Sequence, residues 1–154
     1  KEIKKGQTIC FLEGKLCSLD EMIKLVDEGK EEASDPLGVD DEEYIDLNEL
    51  SRTINHSCNP NSFIKDKNEL VALRDIKKGE EITYDYSTTM NDNEEKIVKA
   101  GSSLWTCKCN CGSENCRGII KDFKYLPTPI QEKYIKLEIV PDYILKEICP
   151  LNLV

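Results

Sequence analysis

The sequence lacks several features that would place it in common functional classes. No apolar run approaches the roughly 18 residues of a membrane-spanning helix, so no membrane span is expected. The first residues, Lys1 to Ile9, have no apolar core like that of a secretory signal peptide. Basic residues are outnumbered by acidic ones, 21 to 30, and the net charge of -9 argues against nucleic acid as a direct partner.

Acidic residues are unevenly spread along a chain whose 154 residues suit one domain. Between Asp27 and Glu49 there are eleven acidic residues and one lysine. Such a run is either a solvated loop or a field that attracts a basic peptide or protein, and both interpretations stay open. The sequence gives no indication of the oligomeric state.

Cysteine is the residue type whose placement is most informative. Of eight cysteines, four lie in C107-K-C-N-C-G-S-E-N-C116, a spacing that suits a thiolate metal site better than disulfides. Cys109, Cys111 and Cys116 leave tetrahedral zinc one ligand short. Cys107 is the local candidate for the fourth ligand, but three alternating cysteines would be crowded, which favours the distant Cys58. An intracellular reducing compartment is therefore expected.

Two nearly identical pentapeptides indicate chain reversals. E2-I-K-K-G6 recurs as D75-I-K-K-G79, and in each copy the glycine supplies a positive φ between short apolar runs. Each copy therefore predicts a β-hairpin. Their β-branched and aromatic composition predicts strands at three further segments, 44–47, 68–74 and 81–86.

A short helix is predicted early in the chain. Ser18 and Glu21 have capping-box spacing ahead of an apolar helical face, which predicts a helix over residues 19–28. Residues 30–43, rich in acidic residues, are predicted to form a loop or mobile insert.

The C-terminal part changes character. Thr128 as the N-cap and Pro129 as the first helical residue predict a helix over the following segment, 131–137. Pro141 predicts another helix that runs to Ile148. Short strands followed by helices predict a mainly β, or α+β, fold with a helical tail.

Two further motifs suggest chemistry. N55-H-S-C-N-P-N61 contains the only histidine, which in such a turn is either structural, catalytic or, with Asn55, part of a polar cofactor site. In G79-E-E-I-T-Y-D-Y86 the two tyrosines are predicted on one face of a strand, with Asp85 on the other. Such a pair either packs in a core or lines a narrow apolar channel whose hydroxyls orient a substrate nitrogen.

Together, the ordered motifs N-H-S-C-N-P-N, G-E-E-I-T-Y-D-Y and C-x-C-G-S-E-N-C-R-G resemble those of SET-domain protein lysine methyltransferases that carry a post-SET zinc segment. The likeness runs from Glu2 to Gly118. It implies a β-clip fold in which the N-H-S-C segment forms a pseudoknot beside the Y-D-Y strand. The implied parts are a SET domain (1–104) with a variable insert at about 18–43, a zinc-bound post-SET segment (105–120) and a helical extension (121–154).

The resemblance also implies roles for individual residues. Asn55 and His56 would contact S-adenosylmethionine, and Trp105 is a candidate for packing near its adenine. Tyr86 matches the tyrosine at the transfer site, and Tyr84 matches the position that limits how many methyl groups fit. The implied zinc ligands are Cys58, Cys109, Cys111 and Cys116.

The implied activity is methyl transfer to a lysine of a basic protein such as a histone, leaving S-adenosylhomocysteine. The Tyr84 hydroxyl favours mono- or di-methylation over tri-methylation. A cytoplasmic or nuclear location follows. Members of the family begin with a glycine-containing strand that this sequence does not show, so we expect that strand to be missing from the start of the chain. The alternative is a catalytically silent zinc-containing module that binds a basic peptide.

Overall fold

The computed structural model describes residues 1–30 and 36–148, which form four small sheets and several short helices. The strands are β1 (Thr8–Phe11), β2 (Gly14–Ser18), β3 (Pro36–Asp40), β4 (Glu43–Leu47), β5 (Asn55–His56), β6 (Ser62–Lys65), β7 (Glu69–Ala72), β8 (Thr83–Tyr84), β9 (Cys107–Lys108) and β10 (Ile119–Ile120). The α-helices are α1 (Leu19–Asp27), α2 (Glu94–Lys99), α3 (Thr128–Lys136) and α4 (Asp142–Ile148). Short 3₁₀ helices lie at Ser51–Thr53, Tyr86–Thr89 and Phe123–Tyr125.

Two three-stranded antiparallel sheets carry the main core. Their strand orders are β1-β7-β6 and β2-β4-β3. Leu70 of the central strand β7 is fully buried, in one cluster with Leu12, Leu37 and Tyr84. Burying a leucine side chain stabilises a fold by roughly 1.5–3 kcal/mol. Tyr84, a predicted site residue, is therefore anchored in the main core.

The two glycine turns are present, but they do not form two hairpins. Gly6 and Gly79 have φ values of 81° and 86°, as predicted. Ile3 and Ile76, which precede the turns, pair with each other through N–H···O distances of 3.0 and 2.8 Å. The hairpin predictions are wrong because each pentapeptide finds its strand partner in the other copy, about seventy residues away, and not in its own flank.

Helix α1 confirms the early helix prediction, and the insert after it is more ordered than expected. The Ser18 hydroxyl accepts the Glu21 N–H, and the Glu21 carboxylate accepts the Ser18 N–H, which is the predicted capping box. Within the predicted loop, β3 pairs with β4. Gly38 lets β3 lie close to the 3₁₀ helix Tyr86–Thr89, because a Cβ there would lie 2.4 Å from the Thr89 carbonyl oxygen. Part of the predicted loop, 31–35, lies outside the described residues.

The predicted strand at 81–86 is shorter than expected. Only Thr83–Tyr84 is a strand, and Tyr86 begins a 3₁₀ helix. The reason is Asp85, whose carboxylate accepts the Ser87 N–H at 3.1 Å and so caps the helix. Tyr84 and Tyr86 still lie side by side, although they do not belong to one strand.

Both C-terminal helices are present, with one correction at the start of α3. Thr128 is the first helical residue and does not cap the helix, because the N-cap position is taken by Pro127, which has no side-chain acceptor. The tail has its own buried cluster, which includes Phe123, Tyr134 and Ile144. Among the described helices, none has the length and apolar character needed to cross a membrane.

Candidate functional site

Three cysteines and the histidine converge in the interior. The ligand atoms of His56, Cys58, Cys109 and Cys111 all lie within 4.8 Å of one another, and the Cys58 and Cys109 sulfurs are 3.7 Å apart. Two thiolates bound about 2.3 Å from one tetrahedral zinc ion are roughly 3.8 Å apart, so the donor set fits a zinc ion in chemistry and spacing. The seven cysteines in the described ranges are free thiols.

Cys116, the fourth predicted ligand, lies at the edge of this cluster. It is exposed, and its sulfur is 3.7 Å from the Cys109 carbonyl oxygen. His56 Nε2 is 3.4 Å from the Cys58 sulfur and occupies the fourth place in the cluster instead. The structure thus brings three of the four predicted cysteines together with His56, and the role of Cys116 stays a prediction.

The cluster thiols differ in how easily they ionise. Burial raises the pKa of Cys58 and raises the pKa of Cys109 to about 12. At Cys111 the effect of burial is outweighed by hydrogen bonds from Ser113 and the Cys58 backbone, so its pKa falls to about 5. Without a metal, Cys111 is therefore the cluster residue that ionises most readily. A divalent cation would let Cys58 and Cys109 ionise as well.

His56 connects the cysteine cluster to Tyr86. Its Nδ1 accepts the Tyr86 N–H at 3.2 Å, which leaves the imidazole proton on Nε2, facing the Cys58 sulfur. Burial lowers the pKa of His56, although the Asp85 carboxylate 3.5 Å from Nδ1 favours the charged form. His56 is therefore a neutral link that fixes the Tyr86 backbone.

Asn55 and His56 form β5, which lies parallel to β8. The register pairs Asn55 with Thr83 and His56 with Tyr84. The Asn55 amide also donates to the Glu81 carboxylate at 2.7 Å. The N-H-S-C segment is thus laid beside the Y-D-Y segment, which brings two motifs about thirty residues apart in sequence into one site.

A polar cavity of about 520 Å³ opens beside this segment. Cavities of this size accommodate ligands of a few hundred daltons. Its lining includes Asn55, His56, Arg74, Glu81, Tyr86 and Lys108. Both charge signs are present, so the polar cavity suits a ligand with several polar groups.

A smaller aromatic cavity of about 120 Å³ lies next to it. Its lining includes Met22, Tyr44, Tyr84, Tyr86, Asp92 and Trp105. Among the described residues, Tyr86 is the one that lines both cavities. Trp105 lines the aromatic cavity and not the polar one, so its role beside an adenine stays a prediction.

The two predicted tyrosines lie side by side at the aromatic cavity, and Tyr86 also lines the polar one. Their ring centroids are 4.8 Å apart at an interplanar angle of 41°, and the His56 ring meets Tyr86 edge-on at 5.4 Å. The Tyr86 hydroxyl donates to the Ile54 carbonyl oxygen at 2.7 Å. Tyr84 is buried, and burial raises the pKa of its hydroxyl, which therefore stays protonated.

A buried ion pair behind Tyr86 was missed by the sequence interpretation. Arg117 Nη1 and Nη2 lie 2.7 and 2.8 Å from the two Asp85 carboxylate oxygens. The Tyr134 hydroxyl donates to the same carboxylate at 2.8 Å. The available signal was weak: Arg117 directly follows the last motif cysteine, but nothing in the sequence connects Tyr134 to it.

A second buried carboxylate group, also missed, borders the aromatic cavity. The Tyr44 hydroxyl donates to Asp92 at 2.5 Å, and the Asp122 carboxylate accepts the Asp92 N–H at 2.9 Å. Burial raises the pKa of Asp92, and burial together with the Asp92 charge raises the pKa of Asp122 to about 6. Burial also raises the pKa of the Tyr44 hydroxyl, which acts as a donor.

Known proteins resemble this chain in sequence and in fold. The H3 lysine-9 specific histone-lysine N-methyltransferase dim-5 of Neurospora crassa is 36% identical over 99 residues, which are 57% of this chain and 29% of that protein. The methyltransferase domain of human SETMAR has a TM-score of 0.59 and 22% identity, covering 79% of this chain and 52% of that one. A chain of the Polycomb Repressive Complex 2 of Chaetomium thermophilum, bound to S-adenosylmethionine, has a TM-score of 0.54 and 26% identity. The match covers 66% of this chain and 14% of that one.

The chain spans less than a third of the length of such curated relatives. The fold similarity agrees with the predicted α+β class and with the SET-type architecture. The sequence profile described as "SET domain" matches residues 1–87, more than half of the chain. This match, with the N-H-S-C and Y-D-Y segments laid side by side, shows that the chain belongs to the SET domain family.

Proposed function

We propose that this protein is an S-adenosylmethionine-dependent protein lysine N-methyltransferase. The observation that carries the proposal is the position of Tyr86, which lines both the polar and the aromatic cavity. A methyl transfer needs a donor and an acceptor that meet in line at one point. Two neighbouring cavities that share one tyrosine provide such a meeting point.

The polar cavity is the proposed binding place of S-adenosylmethionine, which supplies a methyl group bonded to a positively charged sulfur. Its size and mixed charges suit a ligand that carries an ammonium, a carboxylate and hydroxyl groups. Asn55 and Glu81, joined at 2.7 Å, offer polar groups at its wall, and Arg74 offers a cation. The Chaetomium complex bound to S-adenosylmethionine supports this assignment.

The aromatic cavity is the proposed channel of the substrate lysine. Its mostly apolar walls would desolvate the ammonium and so lower the pKa of the lysine, which favours the neutral amine needed for attack. The Tyr86 hydroxyl donates its proton to the Ile54 carbonyl, so its oxygen lone pairs face the reacting groups as acceptors. The Tyr84 hydroxyl takes up room beside the amine, which favours mono- or di-methylation.

Zinc is the proposed metal of the cysteine cluster. Cys58, Cys109 and Cys111 would hold it, with Cys116 as the predicted fourth ligand and His56 as the nearest competitor. The metal would fasten the segment after β9 against β5. Cys58 lies just after β5, whereas the other ligands follow Lys108, the last residue of β9. It has no part in the methyl transfer itself.

The proposed substrate is a lysine in a basic protein such as a histone, in the nucleus or the cytoplasm. The net charge of -9 favours a basic partner. The acidic groups around the aromatic cavity include Asp27 and Asp92. The Neurospora relative, named for H3 lysine 9, makes histone H3 the first substrate to test.

The experiment is methyl transfer from labelled S-adenosylmethionine to core histones by the full-length protein. We expect transfer by the unchanged protein and a loss of at least 100-fold in Tyr86→Phe, because the hydroxyl oxygen at the meeting point is removed. Tyr125→Phe is the matched control, since Tyr125 is exposed and its hydroxyl donates to Glu94 on the surface.

Absence of transfer together with absence of S-adenosylhomocysteine binding would refute the enzyme and favour the silent peptide-binding module. Transfer that persists in Tyr86→Phe would keep the enzyme but remove the proposed role of Tyr86.

A further inference from the structure

Two tyrosines of the helical extension place buried hydroxyls against residues next to or within the walls of the site. Tyr134, in α3, is 2% exposed and donates to the Asp85 carboxylate at 2.8 Å. Tyr143, in α4, is 8% exposed and its hydroxyl lies 2.9 Å from the Thr89 carbonyl oxygen and 3.1 Å from the Gly38 carbonyl oxygen. Phenylalanine would fill either position in a purely apolar core, so the hydroxyls call for an explanation.

Tyr134 acts on the group that fixes the Tyr86 backbone. Asp85 caps the 3₁₀ helix that begins at Tyr86, by accepting the Ser87 N–H at 3.1 Å. The same carboxylate lies 3.5 Å from His56 Nδ1 and is paired with Arg117, next to the last motif cysteine. One hydrogen bond from α3 therefore orients a carboxylate that contacts the Tyr86 turn, His56 at the wall of the polar cavity, and Arg117 after the last motif cysteine.

Tyr143 acts on the other cavity. Gly38, in β3, and Thr89, at the end of the 3₁₀ helix, both line the aromatic cavity. The Thr89 carbonyl oxygen would be 2.4 Å from a Cβ at Gly38, so the two backbones are in close contact. The Tyr143 hydroxyl lies within hydrogen-bond distance of both carbonyl oxygens and so joins the two backbones.

We propose that the helical extension completes the active site, with Tyr134 as a positioning residue for the polar cavity and Tyr143 as a positioning residue for the aromatic cavity. The proposal rests on the proposed methyltransferase function. It assigns to residues after the last motif cysteine a role in binding both substrates, although neither tyrosine lines the polar or the aromatic cavity.

The test compares Tyr134→Phe with Tyr143→Phe, each of which removes one oxygen and keeps the ring. We expect Tyr134→Phe to raise the KM for S-adenosylmethionine by about tenfold and to change the KM for a histone H3 peptide less than threefold, since a hydrogen bond to a charged group contributes about 1.5 kcal/mol. Tyr143→Phe should raise the KM for the histone H3 peptide by about fivefold and change the KM for S-adenosylmethionine less. The dissociation constant of S-adenosylhomocysteine, measured by calorimetry, should rise in Tyr134→Phe and stay unchanged in Tyr143→Phe.

All kinetics are measured well below the melting temperature of each variant, with Tyr125→Phe as the control that touches no cavity. A merely structural role predicts lower melting temperatures with both KM values unchanged, or changed by one common factor, and either result overturns the proposal. An inactive unchanged protein refutes the proposed function, and this inference with it. An active unchanged protein beside two normal variants refutes only this inference.

Discussion

The polar and the aromatic cavity share Tyr86 but are stabilised by different forces. On the polar side, Asp85 is held by the Arg117 guanidinium and by hydrogen bonds, and the cysteine cluster lies next to it. On the aromatic side, the Asp92 carboxylate accepts a hydrogen bond from the neutral Tyr44 hydroxyl, and burial raises the pKa of Asp92. Two carboxyl groups seven positions apart in sequence thus have different partners: Asp85 has a charged guanidinium, and Asp92 has a neutral hydroxyl.

The difference indicates how each side should respond to perturbation. The polar side depends on full charges that compensate one another, so removing one partner leaves the other buried and unpaired. The aromatic side depends on apolar packing and neutral donors, so its weak point is the cost of ionising the buried Asp92 and Asp122 carboxyl groups.

The largest effect is expected from metal removal, which should disable the polar side first. A strong chelator should leave Cys58 and Cys109 as thiols, because burial raises the pKa of both. We expect the affinity for S-adenosylhomocysteine to fall by at least 100-fold as the bound zinc is lost. Calorimetry and elemental analysis on the same samples measure the two quantities.

The tail should report whether the damage is local. Its core, which includes Phe123 and Tyr134, contains none of the seven cysteines that the structure describes, so the α-helical circular dichroism should largely persist. Unchanged cofactor affinity in the metal-free protein would contradict this prediction.

Replacing one ion-pair partner should have the next largest effect. Arg117→Ala leaves the Asp85 carboxylate buried without its cation, and we expect the free energy of unfolding to fall by about 3–5 kcal/mol. Urea unfolding at neutral pH measures it. Arg74→Ala is the control, because the Arg74 pair with Glu80 is solvent-exposed and should matter far less. Equal losses in the two variants would show that burial of the Asp85 pair is unimportant.

The polar side could largely be predicted from the sequence because its residues lie in short motifs. Asn55, His56 and Cys58 fall within four positions, and the cysteine spacing indicated a metal site without knowledge of the fold. Even there, the contact of His56 with the cluster was not predicted, since the turn that points its Nε2 at Cys58 is a property of the folded chain.

The aromatic side could not be predicted in the same way because it is assembled from distant segments. Tyr44 comes from β4 and Asp92 from the loop after the 3₁₀ helix, and neither lies in a motif. The pairing of Ile3 with Ile76 was missed for the same reason, since local sequence indicates a turn but not which strand it will meet.

The smallest effect concerns the aromatic side and depends on pH. The pKa of Asp122 is raised from 3.8 to about 6, so the folded protein binds this proton more tightly than the unfolded chain. Its contribution to stability is therefore fully present below about pH 4 and is lost as the pH rises to about 6. Asp122→Asn removes this loss and keeps an oxygen for the Asp92 N–H. We expect the variant to gain about 3 kcal/mol over the unchanged protein at pH 7.5 and to show only a small gain at pH 4.

Urea unfolding of both proteins across this range measures the difference, and titrations of the cysteine cluster cancel because both proteins share it. Asp41→Asn, at an exposed position, is the control for the substitution itself. A pH-independent difference for Asp122→Asn would mean that the Asp122 charge is compensated in the folded state. The contrast between the charge-compensated polar side and the desolvated aromatic side would then fail at this residue.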